Sequence, residues 1–191
     1  MTALTGTELI AIGALAVVVV AAVATMLFRR KRRTERLRSK FGGAEYAQAV
    51  KDAGTRRQAE AGLDQRTERV EAFHIRPLAL GDRSRFLDSW RAVQARFVDG
   101  PAGAVGEADQ LLGDVMYTRG YPVSDFEQRA ADISVDHPLV LKYYRTAHDI
   151  ARRQTRGEAS TEDLRQAMVH YRTLFEELVN EPEVPLARVA S

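Results

Sequence analysis

Ionisable side chains crowd the stretch from Asp125 to Asp149, which also holds Glu127, Arg129, Asp132, Asp136, His137, Arg145 and His148. A carboxylate set against a guanidinium, with imidazoles beside it, can orient a small polar ligand or move a proton near neutral pH. Carried on two adjacent helices, Glu127, Asp132, His137, Arg145 and His148 would form a candidate polar pocket, with Glu127 or Asp132 facing Arg145. A plainer account competes with it. Asp125 and Asp136 fall where helices begin, where carboxylates cap free backbone N–H groups, and the remaining charges suit solvated faces and one interhelical ion pair. This account explains more of the cluster with fewer assumptions.

Other chemistries find no constellation. The histidines His74, His137, His148 and His170 include no His-x-x-x-His pair, the spacing that puts two imidazoles on one helical face for a metal. The chain has no cysteine, which removes disulfides, thiolate metal sites and a thiol nucleophile. Gly100-Pro101-Ala102-Gly103 and Gly120-Tyr121-Pro122 are turn sequences, with none of the Gly-Lys-Ser/Thr that completes a phosphate-cradling loop. No serine or threonine sits in a strained turn beside a base. The expectation is a non-enzyme without catalytic, metal or cofactor-binding residues. The aromatics Trp90, Tyr117, Tyr121, Tyr143, Tyr144 and Tyr171 could line a partner surface, but their spacing fits a core better.

The elements that would carry these residues are helical. Phe86, Leu87, Trp90, Val93 and Phe97 make one apolar face, with Asp82 as the expected N-cap. Asp99-Gly100-Pro101 closes that helix, and Val105, Ala108, Leu111, Leu112, Val115 and Met116 make the next, stopped by Gly120. Ser124 with Glu127 has capping-box spacing, opening a short helix through Ile133. Asp136-His137-Pro138 starts another, with Leu139, Val140, Tyr143, Tyr144, Ala147 and Ile150 inward. Residues 152–159 read as a polar loop, and Ser160 with Asp163 caps the last helix, through Leu178. No stretch alternates with period two, so the fold class is all-α, with a compact bundle of about five helices over 82–179.

Upstream of the bundle the chain changes character. Leu9 to Phe28 is an unbroken run of twenty uncharged residues, about 30 Å as a helix, and Arg29-Arg30-Lys31-Arg32-Arg33 follows at once. No basic residue precedes the run, which separates it from a cleavable signal peptide. It reads as one N-terminal transmembrane helix, so the chain would span a lipid bilayer once. The cations place residues 29–191 in the cytoplasm and the short 1–8 segment outside, in a bacterial plasma membrane. Arg29, Arg30, Lys31, Arg32, Arg33, Arg36, Arg38 and Lys40 oppose only Glu35 across 29–40, whereas 41–191 carries 20 basic and 24 acidic residues. The basic segment is a candidate contact for anionic lipid head groups as well as a topology signal. No aromatics interleave with its cations, so no nucleic acid is expected. Residues 41–81 read as a charged helical stalk that projects the domain from the bilayer, with His74 to Leu80 as an extended connector, and 180–191 as a disordered tail.

Several segments resemble a group of uncharacterised bacterial single-span proteins, often labelled membrane or secreted. They include Lys40-Phe41-Gly42, Glu45-Tyr46, Arg96-Phe97-Val98-Asp99, Arg119-Gly120-Tyr121-Pro122 and Asp125 to Asp132. Glu162 to Arg172 and Phe175-Glu176-Glu177-Leu178 complete the resemblance. It implies a bacterial envelope protein of this architecture and assigns no activity or functional residue. The expected function is a membrane-anchored cytoplasmic helical module that binds an unidentified protein partner as scaffold, adaptor or assembly factor. The alternative is a small-ligand or metal sensor using the polar pocket.

Overall fold

The structure is a computed structural model that describes residues 6–122 and 124–180, with the side chains of 6–14 and 16 left out. Seven helices follow one another: α1 (Gly6–Ala53), α2 (Arg56–Glu71), α3 (Leu80–Arg96), α4 (Pro101–Arg119), α5 (Phe126–Asp136), α6 (Pro138–Gln154) and α7 (Thr161–Asn180). Among the described residues there is no strand. The expected tail at 180–191 lies, beyond Asn180, outside the described residues.

Local chemistry sets the helix ends. At α7 the Ser160 backbone N–H donates to Asp163 Oδ2 at 2.9 Å and the Asp163 N–H donates to Ser160 Oγ at 3.1 Å, a complete capping box. Helix α4 opens on Pro101 and closes on left-handed Gly120. Three boundaries differ from expectation. Asp82 lies in the first turn of α3 behind the N-cap Ala79, so it faces the helix dipole without capping it. Asp125, one residue past Ser124, caps α5 by accepting from the Gln128 N–H at 2.8 Å, because it is Asp125 that takes the extended backbone conformation of an N-cap (φ −63°, ψ 171°). Helix α6 runs on through Gln154 into the stretch read as a loop, since Arg152 and Arg153 are good helix formers and complement its C-terminal dipole.

Helices α3 to α7 enclose the main core, in which Trp90 stacks on Phe175 with ring centroids 4.7 Å apart. Phe86, Trp90 and Val93 of α3 are buried, while Leu87 and Phe97 pack at its rim. The connector 74–79 is fastened to the end of α4. The Arg76 N–H donates to the Arg119 carbonyl at 2.8 Å, and buried Arg119 donates from Nη1 to the Leu178 carbonyl at 3.2 Å. Gly120 has φ +105°, and a Cβ there would sit 2.5 Å from the His74 carbonyl oxygen. Only glycine lets the connector pass this close.

The expected projecting stalk folds back instead. Within α1, Gly42 is non-helical (φ 73°, ψ 160°) and bends the chain sharply. The part of α1 after the bend and α2 then close on the part before it. Leu37, Phe41, Tyr46, Leu63 and Val70 join Val135 of α5 in a second buried cluster. The apolar stripe is thin along either helix taken alone. Bent together, the two helices bring their stripes onto one spot, where these side chains are buried. The stalk is therefore a flank of the bundle.

Among the described residues no helix is long and apolar enough to cross a membrane. The expected span falls partly outside them, because the side chains of 9–14 and 16 are not described. In its described part, Leu15, Val17 to Val20, Val23, Met26, Leu27 and Phe28 are 51–68% exposed. The Thr25 hydroxyl donates to the Ala21 carbonyl at 2.8 Å and so is satisfied within its own helix.

Candidate functional site

The five residues of the expected pocket do not form one site. Arg145 on α6 meets neither Glu127 nor Asp132. Its guanidinium grips Glu45 at both oxygens, Nη1 to Oε2 at 2.6 Å and Nη2 to Oε1 at 3.2 Å, because the folded-back end of α1 lies along α6. Arg66 of α2 donates to the same carboxylate at 3.0 Å. Glu45 is buried, so the three residues tie α1, α2 and α6 together. Glu127 is exposed and shares with Arg145 only the wall of an open cleft of about 600 Å³, whose rim includes Gly42, Glu45 and Lys142.

Asp132 is 1% exposed and pairs with Arg69 of α2, while Gln128 donates to it at 3.1 Å. Burial pushes its carboxyl above the ordinary range, and Arg69, itself 39% exposed, offsets this only in part. His137 caps the break between α5 and α6, with Nδ1 3.3 Å from Glu177 of α7. His148 lies elsewhere, its ring stacked 3.5 Å from that of Phe126.

The most developed polar constellation is one the sequence did not single out. Asp109 of α4 accepts from the Tyr171 hydroxyl of α7 at 3.1 Å, with Arg129 of α5 at 3.7 Å and His148 Nδ1 of α6 at 3.8 Å. Four helices thus converge on one carboxylate. Burial raises its pKa, but the His148 ring, the Arg129 charge and the Tyr171 hydroxyl outweigh it and hold the group below the usual carboxylate range. Burial first, then the Asp109 charge, drives the phenols of Tyr144 and Tyr171 well above theirs. Among the described residues, fully buried Tyr144 has no hydrogen-bond partner for its hydroxyl, nor Arg129 for its Nε. Arg129 has room because Gly113 faces it: a Cβ at 113 would lie 2.9 Å from its Nη1.

Asp109 and His148 also face a cleft of about 430 Å³ between α4 and α6, walled by Val105, Gly106, Ala151 and Gln154 among others. An ionised carboxylate beside an imidazole at the foot of a small cleft can hold the donor end of a small polar molecule. Among the described residues no group of three or more His, Asp or Glu side chains could hold a metal ion. Of the aromatics considered as a partner surface, Trp90, Tyr121, Tyr144 and Tyr171 are buried, and only Tyr117 is largely exposed, at 65%.

A signal for the missed residues exists in the sequence. Asp109 and Arg119 both interrupt the apolar face of α4, the first four residues after Val105, the second four after Val115. A charge on an apolar face either breaks the helix–helix contact or finds a partner inside it. Glu45 had the Gly42-Gly43 doublet just ahead of it, a mark of a bend that could return it to the bundle.

In the basic segment, Arg33 pairs with Asp64 of α2, Lys31 lies 4.0 Å from Glu35 and Lys40 3.9 Å from Glu71. Arg32 lies over the Phe28 ring and Arg38 over that of Tyr46. Arg29, Arg30 and Arg36 have no acidic partner among the described residues. No protein-family model, no curated protein and no solved structure matches this chain.

Proposed function

We propose that this chain is a single-span membrane protein whose helical bundle, held on the cytoplasmic side, is a protein-interaction module acting as scaffold, adaptor or assembly factor. The run Leu9 to Phe28 crosses the bilayer, and the cations after it stay on the cytoplasmic face. One observation carries the reading. Along one helix, a stretch exposing nine large apolar side chains passes through a basic belt into residues buried in the bundle, Leu37 and Phe41. Elsewhere large apolar residues are exposed only singly, as at Leu80, Val98 and Leu139. A stretch apolar on every side is stable in hydrocarbon and costly in water. The interaction role is supported by a helical bundle whose Glu45, Arg66 and Arg145 tie its helices to the segment that leaves the apolar run.

Membrane insertion is tested by alkaline extraction of native membranes and by protease protection of tags at either terminus. Release at high pH, or protection of the C-terminal tag in sealed cytoplasm-out vesicles, overturns it. The interaction role is tested by in-cell crosslinking and affinity capture of the full-length chain. A bundle that stays monomeric and partnerless in native membranes counts against it.

The Asp109–His148 cleft favours a second reading, a small-ligand sensor, because the buried Tyr144 hydroxyl, within reach of the Asp109 charge, has no hydrogen-bond partner among the described residues. Thermal shift of the detergent-solubilised chain against a metabolite panel tests it. A ligand at 100 times its dissociation constant adds about 2.7 kcal/mol. A panel without a shift, or a shift unchanged in Asp109→Asn, removes this reading.

A further inference from the structure

Because α1 bends back at Gly42, α2 runs in the same direction as the part of α1 that leaves the apolar run. The cross-links fix that direction: Thr34 Oγ1 donates to Glu60 at 2.6 Å, Arg33 pairs with Asp64, and Lys40 lies 3.9 Å from Glu71. Residue numbers rise together on both helices. The start of α2 therefore points back toward the apolar run. Arg56 and Arg57 precede Glu60 by about one turn, roughly 5 Å, which returns them to the level of Arg29 to Arg33. Both are exposed, and among the described residues neither has an ion pair. The acids nearby are already engaged: Glu60 by Thr34 and Tyr46, Asp64 by Arg33, Glu35 by Lys31.

We infer that Arg56 and Arg57 are a second contact with anionic phospholipid head groups, which holds the bundle against the membrane surface at two points. The inference rests on the membrane-anchored reading above. The occupant follows from position and charge. A cationic, exposed helix start, level with a basic belt that ends an apolar run, meets the head-group layer of the same leaflet. From Phe28 to the first buried residue, Leu37, is nine helical residues, about 14 Å, with no flexible linker between them. The bundle has no freedom to leave the surface, so its orientation is set by which of its edges is cationic.

The chain lacks cysteine, so a single introduced thiol carries one fluorophore. The full-length Gln58→Cys protein is labelled and placed in nanodiscs of phosphatidylcholine alone or with phosphatidylglycerol, each containing a head-group quencher. A second protein, Ala22→Cys, is placed in discs with an acyl-chain quencher and reports the anchor separately. The expected result is strong quenching at 58 in phosphatidylglycerol discs, weak quenching in phosphatidylcholine, and relief by high salt. Arg56→Glu with Arg57→Glu should lower the docked-to-undocked ratio by at least about 30-fold, the effect of losing two surface cations. Arg56→Lys with Arg57→Lys should keep it, and the Gln pair, with an unchanged circular dichroism spectrum, should lose it. Quenching at 22 without lipid-dependent quenching at 58 overturns this inference and leaves the anchor standing. Equal quenching at 58 in both lipids, or in the Glu pair, overturns it too. No quenching at 22 removes the anchored reading and this inference with it.

Discussion

Replacing Gly120 by alanine should destabilise the protein by about 2–4 kcal/mol, although the change adds a single methyl group. Its φ of +105° lies in the left-handed half of backbone space, where an L residue costs about 1–2 kcal/mol. The new Cβ would also lie 2.5 Å from the His74 carbonyl oxygen and 3.1 Å from its carbon. Both atoms belong to backbone, so relief requires the 74–76 connector to move. That movement stretches the Arg76 N–H bond to the Arg119 carbonyl (2.8 Å) and the Arg119 Nε bond to the Arg76 carbonyl (3.4 Å), each worth about 1 kcal/mol. A loss of this size lowers the melting temperature by about 4–16 °C for a chain of this length. The assay is thermal and urea unfolding of the detergent-solubilised protein followed by circular dichroism. Gly62→Ala is the matched control. Gly62 lies inside α2, and a Cβ there would meet nothing within 4 Å, so the same chemical change should stabilise by about 0.5–1 kcal/mol. A Gly120→Ala protein within about 0.5 kcal/mol of the parent would refute the claim that the connector is clamped at this point.

Asp109→Asn and Asp132→Asn should change the acid limb of stability in opposite directions. The folded pKa of Asp109 is lowered, so its contribution is present above the unfolded value of about 3.9 and lost as pH falls through the folded one. The Asn variant removes that loss and flattens the limb. The folded pKa of Asp132 is raised, so its carboxylate costs stability as pH climbs from about 3.9 through the folded value, and Asp132→Asn should remove this penalty. Urea midpoints measured across the acid range check both signs. Glu45→Ala should cost about 1–2 kcal/mol, below the usual figure for a broken buried pair because Arg145 and Arg66 are 34% and 30% exposed. A double-mutant cycle with Arg145→Ala should show coupling of at least about 0.5 kcal/mol. Phe175→Ala should cost about 3–5 kcal/mol and shift the fluorescence of Trp90, the one tryptophan, toward the red.

Much of the bundle was legible because local signals agree there. Periodic apolar faces, Pro101 and Pro138 at helix starts, the Ser160–Asp163 box and Gly120 each act within a few residues, and five helices from α3 to α7 followed. Ser124 and Asp82 were misplaced as caps by a residue or more, since several short polar side chains compete near each helix start and backbone geometry selects one. The expected pocket failed for a different reason. Helical spacing says which residues share a face of one helix, and nothing about which face of another helix meets it. Arg145 was assigned to Glu127 or Asp132, its neighbours in sequence, yet it pairs with Glu45, a hundred positions away.

The amino-acid sequence by itself determined the helical class, the positions of the bundle helices, the apolar run and the basic belt behind it, because these follow from composition and short-range periodicity. Tertiary structure decided what the charged residues do. The bend at Gly42 turned an expected stalk into a flank of the bundle, brought Glu45 to Arg145, and set Arg56 and Arg57 level with the belt. The convergence of four helices made Asp109 the centre of a partly buried network. The physical reason is range: backbone preference and periodicity act over a turn or two, whereas a buried charge is stabilised only by partners that folding carries to it from elsewhere in the chain.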